Sequence, residues 1–458
     1  MRDLVFSHIV GIRRTYWFWP SAMTVLAIIL GFTLPFVDEK LGSDWTRSLG
    51  FFRAIQVDGA RAILTTLAGA ALGVAGVAFS ITIVAVSFAS SNYGPRLIGN
   101  FMADRTNQIV LGVFVATFVY CITVLSTVHN RIEFQDEALE AFVPQISTLF
   151  ALLLTLSSVG ALIGYIHHIP ESINIMNLTA SIGRKLHEAI AGLPSPEHAG
   201  RDEREPVDVA PWAGLPTGKG RSHAVRARST GYLQRIDVGS LQNLARSNGV
   251  QVRIDRAAGD FLATRETVMT VLGQSEVDAG LEKKFQRGYT LGPSRTDDQD
   301  VLFLVDQLVE VGVRALSPGV NDPHTAMLCL DWLGAALCAF AERPPAERLP
   351  AASTVLYSQV TFGVMLDRAF DQMRQHVSTD RTTALYALAI LTDIASVACR
   401  PDMAAGCARQ VTRLAMSANE QLTETLARED VEEARARAIA KIAAPQAVDL
   451  GDSSARNG

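Results

Sequence analysis

Formal charge is missing from long stretches in the first third of this chain. No Asp, Glu, Lys or Arg occurs from residue 62 through residue 95, which is well past the roughly 20 apolar residues that cross a bilayer. Of the 458 residues, 19% are charged and 48% are hydrophobic, and the net charge is −5. This balance argues against nucleic acid as a partner, because such proteins carry a basic footprint.

The motifs of common enzyme classes are missing as well. The sequence has no P-loop, no G-x-G-x-x-G after a predicted strand, no H-E-x-x-H and no G-x-S-x-G. Its five cysteines are odd in number and scattered, so they indicate neither a disulfide framework nor a metal site. We therefore predict a non-enzymatic protein without a metal or a cofactor, and a reducing cytoplasm around its cysteine-bearing part.

Four uncharged runs are present, and they predict four transmembrane helices at residues 16–37, 62–89, 109–128 and 141–166. A polar link, residues 38–61, joins the first two. The lysines and arginines near the span ends, together with an acidic 129–140 loop, favour both termini in the cytoplasm. The expected location is the inner (plasma) membrane, with the lipid bilayer around a multi-pass protein.

The second span has an unusual composition for a simple anchor. It predicts close helix packing through glycines, and the fourth span repeats the small-xxx-small spacing; the predicted packing positions are Gly69, Gly73, Gly76, Gly160 and Gly164. Hydroxyl groups follow the glycines. Two interpretations stay open: a helix packed inside a bundle, or a helix that lines a pathway, in which case the lining residues are Ser80, Thr82, Ser87, Ser90, Ser91, Arg96 and Asp104.

These features lead to two hypotheses on function. The first is a channel for ions or small solutes, which has to be a homo-oligomer because four spans are too few to enclose a wide pathway, with the soluble part as its gate. The second is a membrane anchor that transports nothing and whose soluble part binds a ligand or a protein partner of unknown kind. At the span edges, His167 and His168 indicate either a proton or metal site or an interfacial feature.

The remaining two-thirds of the chain predicts a soluble α+β region. After the four-span domain at 1–175 we expect an exit helix and linker at 176–221 and a small β-rich module at 222–275. The module resembles the β-hybrid folds related to lipoyl domains, without the lysine that those carriers need. A helical domain at 276–445 and a disordered tail at 446–458 complete the predicted fold, a four-helix membrane domain followed by a β module and a helical bundle.

One polar stretch stands out in the soluble part. Ser317-Pro318-Gly319 predicts a turn, Asp322 a helix cap and Pro323 the first helical position. An earlier helix is predicted to start at 296–299. As an alternative to capping, polar groups beside a helix start could bind an ion or an anion. The candidate ligand-binding residues are Asp297, Asp298, Arg314, Asn321, Asp322 and His324.

The same stretch carries a resemblance. The sequences RALSPGVNDP at 314–323 and FASSNYGPR at 88–96, with Gly288-Tyr289 and Arg295-Thr296 between them, are similar to those of a family of bacterial predicted membrane proteins, domain of unknown function 2254. The resemblance covers nearly the whole chain. It implies four N-terminal spans and a soluble C-terminal region, and it implies no activity and no catalytic residue.

Overall fold

The structure is a computed structural model. It describes residues 17–41, 56–97, 101, 104–130, 132–134, 137–139, 141–193, 221–273, 277–343, 354–357 and 360–444. Residues 194–220 of the predicted exit helix and linker, and the whole predicted tail at 446–458, lie outside these residues. The chain forms two compact units, Met1–Asn177 and Leu178–Gly458, and each is described by itself.

Among the residues that the structure describes, the first unit contains four long helices: α1 (Phe18–Leu41), α2 (Val57–Tyr93), α3 (Arg105–Leu125) and α4 (Gln145–Ile173). Each contains most of one predicted span. Helix α3 lies between the others and packs against all three. Its Tyr120 and Cys121 are fully buried, with Leu64 of α2 and Ala151 of α4 in the same core.

Polar side chains fix the end of this unit that carries a short antiparallel hairpin, β1 (Ile132–Phe134) and β2 (Glu137–Leu139); we call it the hairpin end. Asp38 accepts hydrogen bonds from the backbone N–H groups of Ile146 and Ser147 at 2.8 and 2.9 Å. It therefore caps the N-terminus of α4, where its negative charge interacts favourably with the helix dipole. Arg61 donates to the carbonyl of Val128 at 3.2 Å. Asp38 is thus a buried residue in the last turn of α1, and not the start of a polar link.

The opposite end, where α2 and α4 end and α3 begins, is called the exit end. Here the side chain of Asp104 caps α3 by accepting from the N–H of Thr106 at 2.8 Å. Helix α2 has 37 residues and α3 has 21, which correspond to about 55 and 31 Å at 1.5 Å per residue. Because a bilayer core is about 30 Å thick, α2 is long enough to extend past it.

The second unit begins in α5 (Ile175–Ala191) and contains two small sheets. One has the order β3-β7-β5-β9, built from Arg221–Arg226, Thr267–Gly273, Gln251–Ile254 and Val355–Tyr357. The other has the order β6-β4-β8, built from Phe261–Leu262, Gly231–Ile236 and Tyr289–Gly292. Strand β9 pairs with β5 in parallel, with Val355 opposite Val252. The short helices α6 (Val238–Asn248) and α7 (Ala279–Gln286) lie beside these strands along the chain.

In the described part of the remaining chain, six longer helices follow: α8 (Val301–Ala315), α9 (Pro323–Ala341), α10 (Phe362–Val377), α11 (Arg381–Val397), α12 (Pro401–Gln421) and α13 (Thr425–Ala443). Side-chain caps start most of them, as helix N-termini require: Asp300, Asp322, Thr361 and Asp380 each accept a backbone N–H. The prediction that α8 starts at 296–299 is therefore wrong by a few residues, since Asp300 holds the cap.

The chain is thus mostly helical, with small sheets in its C-terminal region. By length and composition, five of the described helices could cross a membrane: α1 to α4, and α9 in the second unit. In α9 this apolar character serves the core of the second unit, because half of its apolar window is buried there, against α8, α10 and α11.

Candidate functional site

The outward face of α2 carries a continuous line of small residues. Counting alternately four and three residues along the helix, the positions are Ala62, Thr66, Gly69, Gly73, Gly76, Ser80, Ile83, Ser87 and Ser90. All are exposed except Ser90, which is half-buried. We call these nine positions the α2 line. A spacing of 3.5 residues keeps them on one side of the helix, and Ile83 is the one large side chain among them.

The α2 line lies opposite the face that α2 buries. The buried face is itself made of small residues, mostly alanines at spacings of three and four: Ala60, Leu64, Ala68, Ala71, Ala75, Ala78, Thr82, Ala85 and Ala89. At about 100° per residue, the centres of the two faces are about 180° apart. Helix α2 therefore offers a close-packing surface on both sides, and the first unit covers one of them.

The outward face of α4 has the same spacing and the opposite composition. Its matching positions are large and exposed: Leu152, Leu156, Val159, Ile163 and Ile166. Helix α1 likewise exposes Val25, Ile29, Phe32 and Phe36. Such side chains are typical of a surface against lipid. Helix α4 also exposes Ser157, Gly160 and Gly164, but its five matching positions are all large, so a long line of mostly small residues distinguishes α2.

The predicted packing glycines all lie on the exterior. A Cβ built at Gly69, Gly73, Gly76, Gly160 or Gly164 meets no atom within 4 Å, so none of them brings two helices of this chain together. The close contacts inside the unit use other glycines. A Cβ at Gly31 would lie 2.7 Å from the Thr123 side chain, and one at Gly112 would lie 2.7 Å from the sulfur of Met23; α1 and α3 meet there.

Among the predicted lining residues, Thr82 takes a position unlike the others. It is 5% exposed, and its hydroxyl lies 2.7 Å from the hydroxyl of Tyr165 in α4. Tyr165 also lies 2.5 Å from the carbonyl of Ala78. A second neutral pair joins Thr117 and Ser158 at 3.0 Å. These hydroxyls tie helices together inside the first unit, where each satisfies a polar group that lipid could not.

Three further lining candidates, Asp104, Arg96 and Ser91, also lie off the α2 line, at the exit end. Oδ2 of Asp104 lies 2.6 Å from Nε2 of His168 in α4, and their side chains are 20% and 29% exposed. Arg96 follows α2 in a short 3₁₀ turn and is exposed, as is Ser91. The Ser91 hydroxyl donates to the carbonyl of Phe88 at 2.9 Å.

In the second unit, the predicted ligand residues have structural contacts. Asp322 accepts from the N–H and the hydroxyl of Thr325 at 3.1 and 2.6 Å, which makes it the cap of α9. Asn321 has a φ of +49°, a left-handed conformation that Asn tolerates well. Asp297 forms an ion pair with Lys185 of α5 at 3.0 Å.

The three other candidates lie at the surface or in a turn. His324 and Asp298 are exposed, and the carbonyl of Arg314 accepts from the Ser317 hydroxyl at 2.7 Å. These contacts support the capping interpretation of the 314–326 stretch.

The second unit also contains a charge cluster that sequence reasoning missed. Arg295 lies 2.6 Å from Asp300 and 2.5 Å from Asp306, and Arg368 of α10 lies 2.5 Å from Asp306. Asp300 and Asp306 are 4% and 1% exposed. Asp306 is thus shared by two guanidinium groups, which joins the segment before α8 to α10. The Arg295 guanidinium also lies 5.2 Å from the centre of the Phe303 ring.

The surroundings of the two carboxylates move their pKa values in opposite directions. Burial raises the pKa of Asp306, but hydrogen bonds from Arg368 and Arg295 outweigh it, so the pKa lies below its usual value. For Asp300 burial is the larger effect, and it raises the pKa in spite of Arg295. A backbone approach adds to this burial: Gly259 has a φ of +95°, and a Cβ there would lie 2.1 Å from the Asp300 carboxylate.

The chain belongs to the family described as predicted membrane protein (DUF2254), whose model matches residues 13–393. Two mycobacterial proteins are similar to it, the uncharacterized protein Rv1290c of Mycobacterium tuberculosis and the uncharacterized protein Mb1321c of Mycobacterium bovis. Each is 26% identical over 95% of this chain and 82% of its own length. No solved structure matches the chain. The resemblance to this family is thereby confirmed, and the protein is a predicted membrane protein with several apolar helices.

Proposed function

We propose that this protein is a homo-oligomeric membrane channel in which the α2 helices of several copies meet along the α2 line. The observation that carries the proposal is the line itself, a 3.5-residue repeat of small side chains on a face that the first unit leaves exposed. Ions or small solutes would pass between the copies, and the second unit would act as the gate.

The physical reason lies in how helices associate in lipid. Burying Leu against another helix gains little there, because lipid tails are as apolar as Leu. Association depends on close approach, which glycine, alanine and serine allow. A strict 3.5-residue repeat also matches the left-handed crossing of about +20° that most membrane bundles adopt. The α2 line meets both conditions, and the leucine-rich outward face of α4 meets only the spacing.

Hydroxyl groups on the same line favour a conducting path over a dry contact. Gly69, Gly73 and Gly76 occupy its first half, and Ser80, Ser87 and Ser90 its second half. Serine hydroxyls can face water and replace part of an ion's hydration. Since Thr82 and Asp104 are held inside the unit, the proposed lining keeps Ser80, Ser87, Ser90, Ser91 and Arg96.

Ile83 is placed to act as the constriction of this path. It lies on the line between Ser80 and Ser87 and is 47% exposed. A ring of isoleucines, one from each copy, would form an apolar collar, and such collars close channels by excluding water.

The same proposal gives the protein its setting. α1 to α4 are the four spans, in the inner membrane, with both termini and the exit end on the cytoplasmic side. The channel is neither an enzyme nor a binder of nucleic acid, and it works without a metal or cofactor.

Recordings from purified protein in planar bilayers test the proposal. Wild type should conduct, Ile83→Ser should raise the open probability several-fold, and Ser87→Leu should lower the conductance. Leu156→Ser on the outward face of α4 is the matched control and should change neither. A wild type that passes no current at any tension, voltage or pH contradicts the proposal.

A second candidate function is that of a non-transporting anchor. The buried charge cluster favours it, because its ion pairs stabilise the second unit from within. If the protein is such an anchor, the full-length protein in detergent should retain one specific ligand or protein partner, and planar bilayers that contain it should pass no current.

A further inference from the structure

Two adjacent histidines at the exit end lie in different surroundings. His167 is 81% exposed, and its Nε2 lies 3.3 Å from Glu171 on the same helix. His168 is 29% exposed, and its Nε2 lies 2.6 Å from the Asp104 carboxylate of α3. Only the second contact joins two helices. The sequence alone does not distinguish the two histidines. In the structure, His167 is a surface residue and His168 forms a contact between two helices.

The same end of α4 also contacts α2. Tyr165 precedes His168 by three residues, so the two side chains lie on one face of the helix. Tyr165 bonds to Thr82 and to the Ala78 carbonyl of α2, while His168 binds Asp104 at the start of α3. One turn of α4 thus ties together the three helices at the end where the serines of the α2 line lie.

A buried acceptor lies one helical turn along α3 from Asp104. Asn107 follows Asp104 by three residues on α3, which places the two Cβ atoms about 5–6 Å apart. It is 4% exposed, and its Oδ1 accepts no hydrogen bond from any residue that the structure describes. A neutral imidazole has one N–H donor and an imidazolium has two, with a positive charge. Protonation of His168 therefore adds a charge and a donor beside the Asp104 carboxylate, which itself lies one helical turn from an unsatisfied acceptor.

We propose that His168 and Asp104 form a proton-binding site that regulates the channel, an inference that rests on the proposed function. Protonation of His168 strengthens the tie between α3 and α4, and loss of the proton weakens it. The other charged or titratable groups toward this end are His167 and Glu171 on α4, Arg105 on α3, and Tyr93 and Arg96 at the end of α2. The tie reaches the conducting helix through Tyr165 and Thr82.

Bilayer recordings at about pH 5.5 and about pH 8 test this site in the full-length protein. The wild-type open probability should differ at least about fivefold between the two, the lower end of common couplings between sites. His168→Gln should abolish the difference. His167→Gln removes the same group one residue away and should retain it. A pH response that persists in His168→Gln, or that His167→Gln removes, overturns the inference while the channel stands. Absence of current at both pH values overturns the channel and this regulation together.

A second measurement does not depend on current. Melting temperatures of wild type, His168→Gln, Asp104→Asn and the double variant form a cycle that isolates the interaction of the two side chains. At about pH 5.5 the change in melting temperature of the double variant should differ by a few degrees from the sum of the changes in the two single variants. At about pH 8 this difference should shrink. Additive effects at both pH values contradict a proton-dependent tie. Asp104→Asn alone serves the same test in recordings if His168→Gln does not fold.

Discussion

The outward faces of α2 and α4 have the same spacing and opposite contents. On α2 the sequence of positions reads Thr66, Gly69, Gly73, Gly76 and Ser80, and on α4 it reads Leu152, Leu156, Val159, Ile163 and Ile166. Both sets are exposed within one chain, but only the large set suits lipid. Side chains that are exposed in a single chain can thus serve different contacts. Those of α4 suit lipid, and we propose that those of α2 contact further copies of the chain.

The largest expected effect comes from Asp306→Ala in the second unit. This variant tests whether assembly depends on the α2 line or on the overall stability of the protein. Asp306→Ala leaves Arg295 and Arg368 without their shared carboxylate, and breaking such a buried pair costs about 3–5 kcal/mol. The melting temperature of the full-length protein should fall, while its assembly size in detergent stays that of wild type. Asp430→Ala, in the more exposed pair with Arg381, is the control and should cost less than about 1 kcal/mol. Loss of assembly in Asp306→Ala would weaken the comparison of the two faces.

Acid should act in the same direction as Asp306→Ala. Because the pKa of Asp306 is lowered in the folded protein, its contribution to stability is complete above the unfolded value of about 3.9. That contribution is lost as the pH falls toward the folded value. Asp300, whose pKa is raised, opposes this trend. Thermal melts from about pH 5 down to about pH 2 should show a decline that is smaller in Asp306→Asn.

The next effect tests the α2 line directly. Gly73→Leu adds a side chain where two backbones are proposed to meet, and overpacking of that kind costs about 1–3 kcal/mol. The association constant should fall roughly 10- to 100-fold, measured by light scattering across a dilution series. Leu156→Ala on α4 should leave it unchanged. Equal effects from both variants would show that the faces do not differ.

The smallest effect separates the two sides of α2. Thr82→Val removes the inward hydroxyl that bonds to Tyr165, and such bonds in membrane proteins average about 0.6 kcal/mol. The melting temperature should drop slightly without a change in conductance. Ser87→Ala, on the outward side, should leave the melting temperature as it is and alter conductance. A conductance change in Thr82→Val of the same size would place Thr82 on the path.

Much of the membrane unit could be predicted from the sequence, because a run without charge has few alternatives to a spanning helix. The family and the cap at Asp322 were also within reach, since both depend on local motifs. The features that could not be predicted are hydrogen bonds and ion pairs between residues that are far apart in the sequence. Asp38 looked like the start of a polar link because its partners are the N–H groups of residues 146 and 147.

The missed charge cluster has a similar cause. Asp306 stands inside the apolar stripe of α8, and an acid at such a position signals a buried partner. Its partners Arg295 and Arg368 are 11 and 62 residues away, so the sequence did not identify them. That the glycines of α2 form a close-packing face stays a prediction. Their direction, outward from the chain, could not be predicted, because it depends on the rotation of α2 against α3, which the alanines on the other side of α2 decide.

Disulfide cross-linking in native membranes reports whether the α2 helices of two copies meet along the α2 line. Ser80→Cys on the α2 line and Ile163→Cys on the outward face of α4 are compared under the same mild oxidant, in a chain whose own cysteines are replaced by alanine or serine. The account predicts that Ser80→Cys is captured as a covalent dimer within minutes and that Ile163→Cys stays a single chain. Rapid cross-linking at Ile163 with none at Ser80 would contradict it.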